Sequence, residues 1–223
     1  MGAIALLGGS FNPLHVGHLR LAIEIHEALG REISRVDILP AAHPPHKAES
    51  HVLPFDVRVH LIREAVAPYP WLICNTMEGE RSEPSYTWDT LRLLSQREGG
   101  REIIFVLGSP DYAQLSSWHH GLDLLERCSL LVAPRGFYSR EHFVEDTRRM
   151  WPDASLSAPM TDTGITMTCG AARILFQPLP WLEVSSSLIR ERWLAGRCID
   201  YLVPRGVALA LEERRDEIRR LWS

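Results

Sequence analysis

The chain has 223 residues, 45% of them hydrophobic, and a formal net charge of −4. That length suits one domain, or one domain with a small appendage, and is enough to bury a substantial core. The negative sign argues against a general polyanion binder, so no nucleic-acid partner is expected, and the apolar runs are far too short to span a bilayer.

In chain order, residues 3–7 are an apolar run that reads as the first strand. A glycine pair follows, and a short loop then delivers Asn12, His15 and His18. Residues 16–29 read as an amphipathic helix, with Leu19, Ala22, Ile23 and His26 at helical spacing and Gly30 at the expected C-cap. Residues 36–39 predict a second strand that stops at Pro40. The segment A-A-H-P-P-H-K-A-E-S is a loop, because paired prolines deny both helix and ladder. Residues 54–66 predict a helix with Phe55, Val59, Ile62 and Val66 as its apolar stripe. A strand over 71–74, a polar loop over 78–85 and a helix over 87–94 follow, the last with Trp88, Leu91 and Leu94 inward.

Residues 103–107 form a short continuous apolar run before Gly108, which suits a central parallel strand. A helix carrying Leu122, Leu125 and Glu126 leads to a strand at 130–132. Residues 137–151 are amphipathic and crowded with charge. Residues 152–168 read as loop or irregular edge, and 173–176 as the last strand. A helix over 187–195, with Leu188, Ile189 and Trp193 inward, ends at Gly196. The tail, residues 206–222, reads as one charged amphipathic helix with Leu211, Ile218 and Leu221 on its apolar side.

Strand–helix alternation of this kind predicts an α/β fold. We expect an open, mostly parallel Rossmann-like sheet with helices on both faces and a small C-terminal helical region. Residues 1–223 are expected to form a single domain, with 185–223 as its C-terminal helical part. Four scattered cysteines, Cys74, Cys128, Cys169 and Cys198, include no C-x-x-C pair. Neither a zinc site nor a redox pair is signalled, and free thiols in a reducing cytoplasm are expected. The first residues lack a basic leader and do not read as a signal peptide.

The chemistry concentrates at loops that follow strands, where open parallel sheets bind ligands. A strand, a glycine turn and a helix N-terminus make a phosphate cradle, since free N–H groups and aligned peptide dipoles favour an anion. His15 and His18, three apart, fall on one side of the first helical turn. The loop is neither the dinucleotide fingerprint nor Walker A, as it lacks both G-x-G-x-x-G and G-K-[ST]. Lys47, after a rigid proline pair, is a point charge suited to a substrate phosphate. Three serines before a helix, Ser185 to Ser187, offer hydroxyls and N–H groups, with Arg190 one turn further on. No Ser-His-Asp or Cys-His set is evident, and no clustered carboxylates form a metal cage.

The string LLGGSFNPLHVGH resembles the HxGH signature of the nucleotidylyltransferase superfamily, whose members transfer a nucleoside monophosphate from a nucleoside triphosphate. The resemblance implies that His15 and His18 work on the triphosphate, with Gly8, Gly9, Ser10 and Phe11 as the surrounding ATP-binding loop and Asn12 on the acceptor side. Pro44, His46 and Lys47 match the P-x-H-K motif of bacterial nicotinate-mononucleotide adenylyltransferases. S-Y-T-W-D-T-L, residues 85–91, resembles their SYT-x-DTL string, which implies that main chain at Tyr86 and Thr87 receives the pyridine carboxylate. Trp118 falls at the spacing of the family tryptophan that stacks on the pyridine ring. Val184, Ser185, Ser186, Ser187, Ile189 and Arg190 lie on the motif I-S-[ST]-T-x-I-R, with serine where threonine is usual, which implies Ser185, Ser186, Ser187 and Arg190 for ATP. C-I-D-Y-L-V-P-R-G-V resembles the family's C-terminal YLVP segment.

The chain departs from the family at G-x-D. Gly108 is followed two residues later by Pro110, so Asp111 must reach the nucleotide sugar by a shifted loop or lose that contact to main chain.

The resemblance thus implies an enzyme that joins ATP and nicotinate mononucleotide to give deamido-NAD and pyrophosphate. His15, His18, Lys47 and Arg190 are its expected catalytic set, with Mg²⁺ carried in by ATP. It also implies small-molecule partners, a cytoplasmic setting and compatibility with a homo-oligomer. The alternatives are the same chemistry on nicotinamide mononucleotide or pantetheine phosphate, and a non-catalytic nucleotide-sensing or interaction domain.

Overall fold

The computed structural model describes residues 2–44, 52–157, 164–180 and 182–223. Its sheet has eight strands: β1 (Ala3–Gly9), β2 (Ile33–Pro40), β3 (Leu72–Cys74), β4 (Ile103–Gly108), β5 (Ser129–Ala133), β6 (Ser155–Leu156), β7 (Ile165–Cys169) and β8 (Ala172–Phe176). Their order is β3-β2-β1-β4-β5-β8-β7-β6. β1 pairs with β4, β2 with β3, β4 with β5 and β5 with β8, all parallel, while β6, β7 and β8 form an antiparallel edge. The fold is α/β with an open, mostly parallel sheet. β1 and β4 are neighbours in space but not in sequence, and the strand order reverses there. In open parallel sheets, ligands bind beyond the carboxyl ends of the strands at switch points of this kind.

Eight α-helices lie among the described residues: α1 (Val16–Leu29), α2 (Phe55–Val66), α3 (Thr87–Arg97), α4 (Ser109–Ala113), α5 (Arg140–Met150), α6 (Ser186–Leu194), α7 (Arg205–Glu213) and α8 (Arg215–Trp222). α1 has the expected bounds and ends at Gly30, whose φ of +48° suits a residue without Cβ. Its buried face is Leu19, Ala22, Ile25 and Leu29, so Ile23 and His26 lie at the margin. His26 instead stacks on Trp71 at 4.0 Å.

Three sequence expectations need correction. The 122–126 helix is a 3-10 segment that buries Leu124 and exposes Leu122. The tail is two helices, α7 and α8, parted at Arg214, where φ −112° and ψ 26° leave the helical region. On α6, Ile189 and Trp193 are buried but Leu188 is exposed.

The chain divides into two compact units. One comprises Met1–Leu7, Arg31–Ser34 and Tyr86–Leu179. Its core includes Phe105, Leu130, Leu131, Phe143 and Ile174. The buried Tyr112 hydroxyl meets Thr147 Oγ1 at 2.6 Å, and the Tyr112 ring stacks on Phe143 at 5.7 Å.

The other unit comprises Gly8–Gly30, Arg35–Ser85 and Pro180–Ser223. In it α2 packs on α7, where Gly206 approaches Glu64 so closely that an added Cβ would lie 3.2 Å from that side chain. Asp37, fully buried in β2, is matched by Arg35 at 2.7 Å and by the Asn75 amide at 2.9 Å. A buried carboxylate requires such partners.

Candidate active site

β1 runs on through Gly8 and Gly9, so the glycine turn expected there is strand, and the turn follows at Asn12 and Pro13. A Cβ on Gly9 would meet the Phe11 ring at 3.1 Å, so the ring folds back over the glycine. Phe11 has φ +46°, a left-handed conformation that costs a non-glycine residue roughly 1–2 kcal/mol. Burial holds it there, since Phe11 is 2% exposed. Its ring meets His18 edge-on at 4.9 Å, and the following Asn12–Pro13 peptide is cis.

His15 is the N-cap of α1 and His18 its third residue. The His15 main-chain N–H donates to His18 Nδ1 at 3.2 Å. A neutral imidazole that accepts at Nδ1 carries its proton on Nε2. The turn therefore sets His18 in the tautomer that carries its proton on Nε2. The two imidazoles stack at 3.6 Å with 23° between planes, and His15 is buried. Gly17 makes this stack possible, because a Cβ there would lie 3.1 Å from His15 Nδ1 and 3.4 Å from the Leu182 carbonyl oxygen.

α6 fastens onto the same turn. Ser185 caps it, its Oγ accepting from the Leu188 N–H at 3.2 Å. Ser186 Oγ donates to the Pro13 carbonyl at 2.9 Å. Arg190 donates from Nη1 to the Asn12 carbonyl at 2.8 Å and from Nη2 to Ser187 Oγ at 3.1 Å. Burial draws the Arg190 guanidinium below the usual arginine range, and no carboxylate among the described residues acts against the shift. A half-buried cation with its charge unneutralised attracts an anion.

Asn12, expected on the acceptor side, is 3% exposed. Its Oδ1 accepts from the Leu53 N–H at 3.1 Å and the Trp222 indole at 3.3 Å, so this oxygen ties the turn to a second loop and to α8. The loop after β2 is tied in as well, through the Ala41 N–H to the Gly9 carbonyl at 2.9 Å. Pro44 is half-buried, while His46 and Lys47 lie outside the described residues.

In the first unit, α3 starts at Thr87 with Tyr86 as N-cap, and no side chain caps it. Asp89, in its first turn, pairs with Arg92 at 3.8 Å. Leading N–H groups left without a side-chain cap suit a carboxylate. The Tyr86 ring lies 4.4 Å from His119, and Trp118, half-buried, meets Phe105 edge-on at 6.5 Å. Ser85, in the second unit, is engaged elsewhere. Its Oγ accepts from the His43 N–H at 2.9 Å, and its N–H donates to the His43 carbonyl at 3.0 Å.

After β4, Gly108 caps the short α4, with Pro110 and the exposed Asp111 in its first turn. A Cβ on Gly108 would lie 3.3 Å from Arg135 Nε. Burial lowers the Arg135 pKa, and the charge of Asp111 opposes that shift. Arg135, which the sequence reading did not single out, also donates its N–H to Ser109 Oγ at 2.9 Å. The signal for it was Pro134-Arg135-Gly136 directly after a buried strand.

Arg58 is the second residue that sequence reasoning missed. It sits inside the apolar stripe of α2, three residues after Phe55 and four before Ile62, where a cation breaks the pattern. The structure buries it to 1% exposure.

Among the described residues, no three His, Cys, Asp or Glu side chains gather as a metal cluster, and no helix is long and apolar enough to cross a membrane. The donors at the β1–α1 turn are imidazoles, a guanidinium and N–H groups. That set fits an anion that brings its own counter-ion.

Comparison with known proteins agrees with this chemistry. Residues 6–192 match the model of the cytidylyltransferase-like family. A Geobacter metallireducens protein named a probable nicotinate-nucleotide adenylyltransferase is 34% identical over 211 residues, spanning 94% of this chain and 95% of the relative. One of the same name from Pseudomonas putida is 36% identical over 210 residues, spanning 94% and 92%. The chain belongs to the cytidylyltransferase-like family and, within it, to the nicotinate-nucleotide adenylyltransferases. The fold is shared with Plasmodium falciparum nicotinic acid mononucleotide adenylyltransferase complexed with NaAD, at a TM-score of 0.71 and 17% identity over 98% of both chains.

Proposed function

We propose that this protein transfers the adenylyl group of ATP to nicotinate mononucleotide, giving deamido-NAD and pyrophosphate. A phosphate oxygen of the mononucleotide attacks the α-phosphorus in line, the bond to the β-phosphate bridging oxygen breaks, and pyrophosphate leaves. The attacking oxygen is already anionic, so no side-chain nucleophile or base is needed. What the reaction needs is alignment and charge stabilisation.

His18 Nε2–H donates to the α- and β-phosphate oxygens as charge builds there. His15 holds the His18 ring, and Arg190 draws the triphosphate to the turn. Gly8 to Phe11, Ser185 to Ser187, Gly108 and Asp111 complete the ATP contacts. Lys47 takes the acceptor phosphate, Tyr86 and Thr87 the pyridine carboxylate through main chain, Trp118 the ring face, and Asn12 the acceptor side of the turn. A divalent ion accompanies ATP, and we assign it as Mg²⁺. It supplies neutralisation of the triphosphate. The whole chain acts as one nucleotidylyltransferase domain in the cytoplasm, with 185–223 as its C-terminal helical part. It acts on small molecules and is compatible with a homo-oligomer.

The observation that carries this reading is the hydrogen bond from the His15 N–H to His18 Nδ1, which leaves the imidazole proton on Nε2 in a turn that Arg190 also grips. The test is pyrophosphate release with ATP and each of nicotinate mononucleotide, nicotinamide mononucleotide and pantetheine phosphate. Fastest release with the first is expected. Release only with another acceptor overturns the substrate, and ATP binding without release with any acceptor makes the chain a nucleotide sensor.

A further inference from the structure

Arg58 lies nearly fully buried on α2 and uses its guanidinium on main chain alone. Nε donates to the Leu53 carbonyl at 2.8 Å, Nη1 to Ser10 at 3.0 Å and to Ala41 at 2.8 Å, and Nη2 reaches Ala42 at 3.5 Å. These carbonyls belong to three segments. Ser10 is in the turn that carries His15 and His18. Ala41 and Ala42 begin the loop that leads to Lys47. Leu53 closes that loop, and its own N–H is held by Asn12.

Glu78, itself 5% exposed, acts on the same place from another element, for its Oε2 accepts the Ala42 N–H at 3.1 Å. The Ala42 residue is thus gripped at its N–H by a carboxylate and at its carbonyl by a guanidinium. Burial pulls the Arg58 pKa down to about 10, and the charge of Glu78 acts against the shift, so Arg58 stays cationic at neutral pH. Its ring neighbour is Phe55, 5.5 Å from the guanidinium carbon. A cavity lined by Ala42, Pro44, Leu53, Phe55 and Arg58 opens beside this knot.

A buried cation is costly unless each N–H finds an acceptor. An apolar residue at 58 would complete the α2 stripe, so core packing alone gives no reason for arginine here. A planar fork with five donors can hold these three segments in one register, whereas an ammonium cannot reproduce that geometry. We propose that Arg58, with Glu78 behind it, is a positioning pair that sets the triphosphate turn in register with Ala41, Ala42 and Leu53 of the neighbouring segments, so that acceptor phosphate and α-phosphorus meet in line.

This rests on the adenylyl-transfer reading above. It predicts a loss in kcat with little change in either KM, because each loop still binds its own phosphate while their mutual alignment is lost. Misplacement of reacting groups by about 1 Å can cost on the order of 100-fold.

The test compares Arg58→Lys, Arg58→Met and Glu78→Gln with the native protein in pyrophosphate release from ATP and nicotinate mononucleotide. Thermal melting and amide hydrogen exchange at Phe11 and Ala42 run alongside. Native turnover is measured first, and its absence overturns the proposed function without touching the exchange readout.

We expect kcat to fall about 10-fold for Arg58→Lys and about 100-fold for Arg58→Met in folded protein, with both KM values within about threefold. Exchange at Ala42 should rise at least 10-fold relative to the β5 amides. Glu78→Gln, which keeps an acceptor for Ala42 but removes the charge, should lose about threefold in kcat. If Arg58→Met does not fold, Arg58→Lys and Glu78→Gln carry the test. Native-like kcat in both, or exchange at Ala42 unchanged in both, overturns the positioning role. Loss of melting temperature with unchanged kcat per folded molecule makes Arg58 a structural residue only.

Discussion

At the start of α1 the chemistry resides in side chains, and the main chain serves to aim them. The His15 N–H sets the His18 tautomer, Gly17 makes room for the His15 ring, and the Asn12 and Pro13 carbonyls anchor Arg190 and Ser186. At the start of α3 the arrangement is reversed. No side chain caps the helix, Asp89 is drawn off to Arg92, and what the turn offers is main-chain N–H. Developing charge on a phosphate calls for a donor of fixed tautomer. A planar carboxylate that must be told from an amide calls for donors that cannot change into acceptors. Side-chain sites yield to point mutation, and main-chain sites do so only through their surroundings.

The sharpest way to break this contrast is His18→Ala. It removes the Nε2–H donor, and we expect kcat at saturating substrates to fall about 10²–10³-fold. It also removes the acceptor for the cap N–H of α1, which costs about 0.5–2 kcal/mol in melting experiments. Near-native turnover would remove His18 from the chemistry. Arg190→Lys comes next. Lysine keeps the charge but cannot reach the Asn12 carbonyl and Ser187 Oγ from two ends of one plane. A drop of about 30-fold in kcat/KM for ATP is expected, with acceptor affinity little changed. Calorimetric titration with each substrate separates the two, and a defect confined to the acceptor contradicts the assignment.

At α3 the expected effect is smaller and concerns selectivity. An amide NH₂ facing an N–H wastes a buried donor at about 1–3 kcal/mol, so nicotinate mononucleotide should lead nicotinamide mononucleotide by about tenfold in kcat/KM. Trp118→Ala should weaken both acceptors and leave that ratio standing, since both rings offer the same face. Competition between the two mononucleotides on both proteins checks this, and a ratio that collapses only in the mutant would move the discrimination from main chain to indole. Gly17→Ala sharpens the contrast from the other side. Its Cβ, 3.1 Å from His15 Nδ1, forces the stacked rings to shift by tenths of an ångström. A fall of about fivefold in kcat is expected, with melting nearly unchanged. An unaltered kcat would mean the stack has slack.

Apolar strands β1, β4 and β5 were legible in the sequence, as was α1 to the residue, because each combines a clear period with glycine or proline punctuation. β8 was legible too, but its hairpin partner β7 was not. That strand lies in a stretch rich in Ser and Thr, where half-buried alternation at an edge looks like loop. The break at Arg214 was hidden because neither Gly nor Pro marks it, and the charged face runs on unbroken from α7 into α8. For the site, the histidines, serines and Arg190 stood out as motifs, whereas Arg58 and Arg135 did not. Their significance is in which carbonyls and glycines surround them, and those partners come from distant parts of the chain. Asn12 shows the converse. Its place in a motif pointed to a ligand, while its Oδ1 is given to Leu53 and Trp222.

That last bond joins residues 210 positions apart. Closing so long a loop is entropically costly and slow, and during synthesis it waits until residue 222 has left the ribosome. The turn that carries His15 and His18 can be made early, but its final fastening comes from α8, the last of the described helices. A nascent chain therefore passes through a stage in which β1 and α1 exist while the Asn12 side chain still lacks its indole partner. Nucleotide binding by such a chain would mark the moment at which folding of the second unit is complete.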